Sequence, residues 1–458
     1  MNPNDEVLAY GRENNVGDQY NDIILTTLRD TYDSSASLTD LYGKAWLSGL
    51  RDGSTLTLPT LHLPFARLKQ LDSRITFTRA SNATYFDAAG VMQTAAEGAA
   101  RFDHNPSTGE SLGLLIEEAR TNLLTYSEQF DHAAWNKTRS SVSANAVVAP
   151  DGTLTSDKLV EDTSTNSHYI GVAANTITYG ATPHCGLFFV KAGERSRVTV
   201  ALIDSTAGIV SGSSCIFDLN TGSLVTGNGG ITPVGGGWYR VYVYGTPAAG
   251  LVTSTGALRI YLDNGTSNNY AGDGTSGLYI WGAQLEAGAF PTSYIKTEAT
   301  ALTRAADLAS MTGTNFSSWY NQSEGTFTFV GNSILDASAR YVCSVDDGTL
   351  NEFFGIRAAS ATVISSAGID GGVSQWALTG GTYTSGDLFS ATLAYKVNDV
   401  GISLNGQSVA TDTAVTLPTV TTLRLGLAIG LPWINGHISR LTYYPKRLTN
   451  ATLQVLSA

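Results

Sequence analysis

The spacing of apolar positions changes once along the chain. Over roughly the first 60 residues it has a period of four: in DQYNDIILTTLRDTYD, Tyr20, Ile24, Leu28 and Tyr32 form one narrow helical stripe. A second helical segment is predicted from Ser37, where Ser37 and Asp40 have S-x-x-D capping spacing. It runs through Leu41, Ala45, Trp46 and Leu50 and stops at Gly53. Helices this short do not fold alone, so their apolar faces require a partner, and Tyr20, Ile24, Leu28, Tyr32 and Trp46 are read as an anchoring surface.

Past Pro59 and Pro64 the period becomes two. ITFTRAS (75–81), ATYFD, GVMQT and ARFDH read as short strands, and LGLLIEE, SDKLVED, CGLFFVKAG, RVTVALID, SCIFDL, GWYRVYVYG, ALRIYLD and GLYIWGAQLE follow at the intervals of a sandwich. No helical pattern interrupts them, which excludes parallel βαβ units. A second series runs from EGTFTFVGNS to GHISRLTYYP. Within it Asn405-Gly406 predicts a tight hairpin, and after it Thr449 is placed to cap a final helix, with Leu448 stapling onto Leu453. The expected fold class is mainly β: two tandem antiparallel, jelly-roll-like β-sandwiches (72–300 and 301–458) behind a helical or extended N-terminal segment (1–71).

Composition narrows the function. The 458 residues are too many for one core, and Lys+Arg 27 against Asp+Glu 39 gives a net charge of -12, with no basic segment to follow a phosphate backbone. Nucleic acid is not an expected partner. Cys185, Cys215 and Cys343 form no CxxC, and the histidines form no HExxH, so no zinc site is expected. MNPNDEVLAYGRENN lacks a basic region followed by an apolar stretch, and no window reaches the roughly 18 apolar residues of a membrane span. The expectation is a chain made in the cytoplasm, without a membrane span and without the export signal of a secreted adhesin.

Catalytic patterns are sparse. Gly109-Glu110-Ser111-Leu112-Gly113 fits G-x-S-x-G but lacks the strand before and the helix after that a nucleophile elbow needs, so Gly109 and Gly113 are read as turn residues. Glu117 and Glu118, even with Asp131 or Glu286, make a poor glycosidase pair. Neighbours on a strand point to opposite faces, and pairing of one with an arginine is the simpler expectation.

Sugar recognition needs aromatic faces and polar groups together. Trp238 and Trp281 lie in strongly apolar strands and are expected in the core, whereas Trp376 and Trp433 stand in GGVSQWALTGG and IGLPWING. For those two, surface contact and loop anchoring both stay open. The polar loop DNGTSNNYAGDGTSG supplies Asp263, Asn264, Tyr270 and Asp273 as candidate ligand-binding residues. The same oxygens would suit Ca²⁺, but no D-x-D-x-D-G spacing appears, and the expectation is no cofactor and no metal.

The run ITFTRASNATYFDAAGVMQTAAEGAARFDHNPSTGESLGLLIEEARTNLLTYSEQF (75–130) resembles a segment of tailed-phage fibre and virion-surface proteins. FVKAGERS, GGGWYRVYV and YIWGAQLEAGAFPTSYIKTEATALTRAAD are similar to the same family's carbohydrate-binding-module-like jelly roll. GHISRLTYYPKRLTNATLQ resembles the end of a concanavalin A-like, laminin-G-like domain. The resemblance implies a non-enzymatic protein on the virion surface, attached to other phage proteins by its N-terminus, homo-oligomeric and trimeric as fibres are, and binding a host-surface glycan. A purely structural decoration protein and a polysaccharide depolymerase are the alternatives it leaves.

Overall fold

A computed structural model describes residues 51–52, 55–172, 177–179, 182–204, 208–246, 254–334, 339–360 and 362–458. The anchoring residues Tyr20, Ile24, Leu28, Tyr32 and Trp46 lie outside them. Strands dominate, as the period-two pattern predicts, and among the described residues no helix is long and apolar enough to cross a membrane.

The chain forms two compact units, one of residues 79–110 and 119–306, the other containing 111–118 and 307–458 together with the described residues up to Thr78. In the 79–306 unit two antiparallel sheets face each other. One runs Trp135–Thr138, Tyr169–Val172, Ser254–Asp263, Arg197–Asp204, Gly208–Asp218, Ser223–Thr226, with Ile177–Tyr179 also on Ser254–Asp263. The other runs Ser140–Val147, Ser156–Glu161, Gly277–Ala287, His184–Lys191, Trp238–Gly245, Gly229–Pro233. Phe130, Trp135, Phe188, Val190, Val200, Ile260, Leu278 and Ile280 belong to the core between them.

The strand His184–Lys191 is buried almost throughout, where a one-sided strand would alternate. Its other face is covered too: Leu187 and Phe189 join Met92, Trp238, Trp281 and Tyr294 in a second cluster. Trp238 and Trp281 are therefore core residues, as expected. The hairpin Ala83–Phe86 and Met92–Ala95 is held by buried arginines, which explains the polar positions of the 75–130 run. Arg79 donates to the carbonyls of Ser81 (2.8 Å) and Ala96 (2.7 Å), and Arg101 to that of Thr84 (3.0 Å) and to Ser293 (2.8 Å).

The second unit is also a sandwich. One sheet runs Val373–Thr382, Val363–Asp370, Phe353–Ser360, Arg340–Asp346, Thr422–Leu425, Leu308–Thr312, Thr76–Thr78. The other includes Ala410–Asp412, Val400–Leu404, Phe389–Lys396, Glu324–Gly331 and Gly436–Tyr444. Leu61–Leu63 and Ser111–Ile116 pair with opposite halves of Gly436–Tyr444. The expected contiguous boundaries at 72 and 300 do not follow these pairings. Thr76–Thr78 and Ser111–Ile116, assigned by sequence to the first sandwich, hydrogen-bond into the second.

Local chemistry follows the sequence closely in this unit. Asn405 and Gly406 both adopt positive φ (47° and 71°) between Val400–Leu404 and its partner Ala410–Asp412. Thr449 accepts the Thr452 N–H and caps Asn450–Leu456. Gly109 has the positive φ (73°) of a turn, but Gly113 (φ 100°) lies within Ser111–Ile116, where a Cβ would run into the backbone of Ile438 and Ser439. It is a close-approach glycine, not a turn residue.

Candidate functional site

The stretch NLLTYSEQFDHAAWNK builds one wall of a cleft. Phe130 and Trp135 are buried with ring centroids 4.8 Å apart, and the Trp135 indole N–H donates to the Tyr126 carbonyl (2.9 Å). These anchors leave Gln129, Asp131 and His132 exposed between them. Tyr126, in the left-handed region (φ 51°), stacks on His132 with centroids 3.6 Å apart and planes 22° from parallel. His132 Nδ1 accepts the Ala134 N–H (3.1 Å), so the neutral ring carries its proton on Nε2.

A bulge builds the opposite wall. Ser140–Val147 pairs with Ser156–Glu161, but the register shifts between Ser143 and Val147, where Asn145 takes a left-handed φ of 54°. Its N–H donates to Asp157 Oδ1 (3.0 Å), and the Phe130 N–H donates to Oδ2 (3.0 Å), so one buried carboxylate ties both walls together. The floor is closed by Glu128, whose carboxylate meets Lys296 Nζ at 2.7 Å and accepts from the Tyr294 hydroxyl at 3.2 Å.

The cleft has a volume of about 380 Å³, and Glu128, Gln129, Asp131, His132, Ala144, Asn145, Thr155, Asp157 and Lys296 line it. Burial raises the Asp157 carboxyl above its ordinary value against the backbone N–H bonds from Asn145, Phe130 and Asp131 that oppose it. Burial likewise raises Glu128, although Lys296 pulls the other way. Among the described residues no group of three or more His, Cys, Asp or Glu is placed to hold a metal ion. What the cleft offers is hydrogen-bond acceptors, an amide, an ammonium and a flat ring face.

The sequence-predicted ligand residues lie elsewhere. Asp263 is buried, accepts the Gly265 N–H (2.8 Å) and faces Arg197 at 3.6 Å. Asn264 folds back on its own turn, accepting from Thr266 and Ser267. Tyr270 is buried and donates to Glu161 (2.5 Å), which also receives Arg195 (2.5 Å) and the Asp273 N–H (2.9 Å). Asp273 caps its own loop through Thr275 and Ser276, bonds that hold its carboxyl well below the usual range. Tyr270 and Asp273 thus meet around Glu161, but their polar atoms are spent on the loop itself, and burial is what pushes the Tyr270 hydroxyl up.

Neither candidate tryptophan, Trp376 or Trp433, stands free. Trp376 is 2% exposed on Val373–Thr382, its ring lying across Gly368 on the neighbouring strand and its N–H bonded to Ser366 (3.0 Å). The loop reading fails because Gly371 and Gly372 turn the chain (φ 60° and 76°) before the strand begins, and Trp376 lies on the strand itself. Trp433 is half-buried and donates to the Asp307 carbonyl (2.7 Å), which favours anchoring. Glu118 pairs with Arg340 (3.1 Å), the expected arginine partnership, and Glu286 is fully buried under Thr292 and Gln284.

Of the candidate acids, only Asp131 lines the cleft. Sequence reasoning missed Glu128, His132, Asn145, Asp157 and Lys296, which are scattered along the chain and share no spacing.

No family model matches the chain, and no curated protein does. Among solved structures, the Ruminococcus gnavus IT-sialidase CBM40 bound to α2,3 sialyllactose aligns with 31% of this chain and 88% of its own, at 16% identity and TM-score 0.28. Domains LG4-5 of the mouse laminin α1 chain align with 61% and 85%, at 10% identity and TM-score 0.20. A native heptameric SAP-like pentraxin from Limulus polyphemus aligns with 30% and 70%, at 12% identity and TM-score 0.24. The mainly β fold class of this chain rests on its own strand pairings.

Proposed function

We propose that this chain is a structural protein of a tailed-phage particle, displayed on the virion surface, and that its 79–306 unit binds a host-surface glycan in the Asp157 cleft without turning it over. The particle is supported by the resemblance of the 75–130 run and of the later segments to virion-surface proteins. The binding role is carried by one observation: a cleft of about 380 Å³ that sets Asp131, Asn145, Asp157 and Lys296 beside His132, whose ring stacks on Tyr126. That volume is at the lower end of small-ligand sites, and a ring face with convergent polar groups is what a sugar requires. Weak single sites gain through copies on one particle.

A glycan array probed with the purified chain tests the binding role. Retention of one glycan class, lost in His132→Ala, supports it, and a blank array favours a purely structural decoration protein. One observation favours a second reading, hydrolysis: two buried carboxylates, Glu128 and Asp157, line one cleft. Release of new reducing ends from host polysaccharide, abolished in Asp157→Asn, would establish that depolymerase reading. Attachment through residues 1–71 is tested by deleting 1–60: the account expects loss of incorporation into particles with both sandwiches still folded.

A further inference from the structure

The charges around the cleft select among sugars. The 126–135 segment contributes Glu128, Asp131 and His132, with Lys137 on the strand that follows; Thr155 and Asp157 come from the opposite wall, and Asp151 adds its charge near Glu128; the 294–298 segment contributes Lys296 and Glu298. Both ammonium groups are already engaged. Lys137 Nζ donates to the carbonyls of Asp131 and His132 (2.8 Å each), and Lys296 Nζ sits on Glu128 at 2.7 Å and within 3.9 Å of Glu298. The lining holds one lysine, Lys296, already paired with Glu128, so an incoming carboxylate would compete with Glu128 for it while facing Asp131 and Asp157. An incoming ammonium would meet Asp131, which is exposed, and the buried Asp157 carboxylate, which accepts the Asn145, Phe130 and Asp131 N–H groups.

Resting on the glycan reading above, we infer that the cleft takes sugars bearing a free amine in preference to their acetylated forms and rejects uronic and other acidic sugars. Asp131 receives the ammonium at the rim, and the Tyr126–His132 face carries the ring.

The test titrates the full chain with three oligosaccharides of equal length, a glucosamine oligomer with its amines protonated, its N-acetylated counterpart and a uronate oligomer. One charge-assisted hydrogen bond more should make the amine form bind about tenfold tighter than the acetylated one, an advantage that shrinks as salt is raised. The uronate should not bind. Asp131→Asn should erase the difference between the amine and acetylated forms. Equal affinity for those two forms, or uronate binding as tight as either, would overturn the inference and leave the glycan site standing. Failure of all three sugars together with a blank array would remove the site itself, and this inference with it.

Discussion

Both sandwiches close buried polar groups on one another, as Glu161 does with Arg195 and Tyr270 in the 79–306 unit, but they differ at the Asp157 cleft. In the 307–458 unit such groups are closed on one another: Asp346 receives Arg424 through two bonds (2.6 and 3.0 Å), and Tyr395 bonds to Tyr443 (2.7 Å) and to the Asn321 carbonyl (2.6 Å). Rings fill the space around them, Phe316 stacking on Tyr320 at 4.5 Å and Trp319 meeting Tyr443 edge-on at 5.0 Å. Burial in this pile pushes the Tyr443 hydroxyl up to about 12. In the 79–306 unit a bulged edge strand and a Tyr126 backbone in the left-handed region hold carboxylates open to a cleft. A binding site needs buried polar groups whose hydrogen-bonding capacity is not exhausted by the fold, and among the described residues the Asp157 cleft of the 79–306 unit is the candidate by that measure.

The comparison can be broken or sharpened by substitution. The largest effect is expected from Trp376→Ala, which removes a fully packed ring above Gly368 and should destabilise the second sandwich by about 3–5 kcal/mol. Denaturant unfolding followed by near-ultraviolet dichroism would measure it, and sugar binding should be unchanged. A loss of binding would return Trp376 to the ligand site.

Glu161→Gln comes next, at about 3 kcal/mol at neutral pH, because it strips the partner from Arg195 in a buried network. Burial acts to raise the Glu161 carboxyl, but the bonds from Arg195, Tyr270 and the Asp273 N–H outweigh it, and it lies below its ordinary value. Its stabilisation is therefore present above the unfolded value of about 4.5 and lost as pH falls through the lower folded value. Unfolding curves of wild type and variant should converge toward acid, whereas a gap unchanged at low pH would remove the charge from the explanation.

Smaller still, Thr449→Ala should cost about 1 kcal/mol through the lost cap. His132→Ala should cost less than about 0.5 kcal/mol in stability, since the ring is exposed, while weakening glycan binding about tenfold. That split between folding and binding is what separates a ligand contact from a structural one.

Much of the fold was legible because it is local. Alternation marked the strands, Asn405-Gly406 its hairpin and Thr449 its helix. Partner choice was not: Ser111–Ile116 and Thr76–Thr78 look like any neighbouring strand, and nothing in their periodicity says they pair with residues more than 200 positions on. The cleft was hidden for the same reason. Its residues come from 128–132, 144–145, 155–157 and 296, and a register shift that no spacing announces brings them together. Trp376 was misread because glycines near a tryptophan suggest a loop, when here Gly368 makes room for the ring.

The most direct test is hydrogen–deuterium exchange on the full chain with and without a saturating glycan retained on the array. The account predicts protection confined to residues 126–132, 144–145, 155–157 and 294–298. Protection falling instead in 363–382 or 429–434, with the Asp157 cleft unaffected, would contradict it.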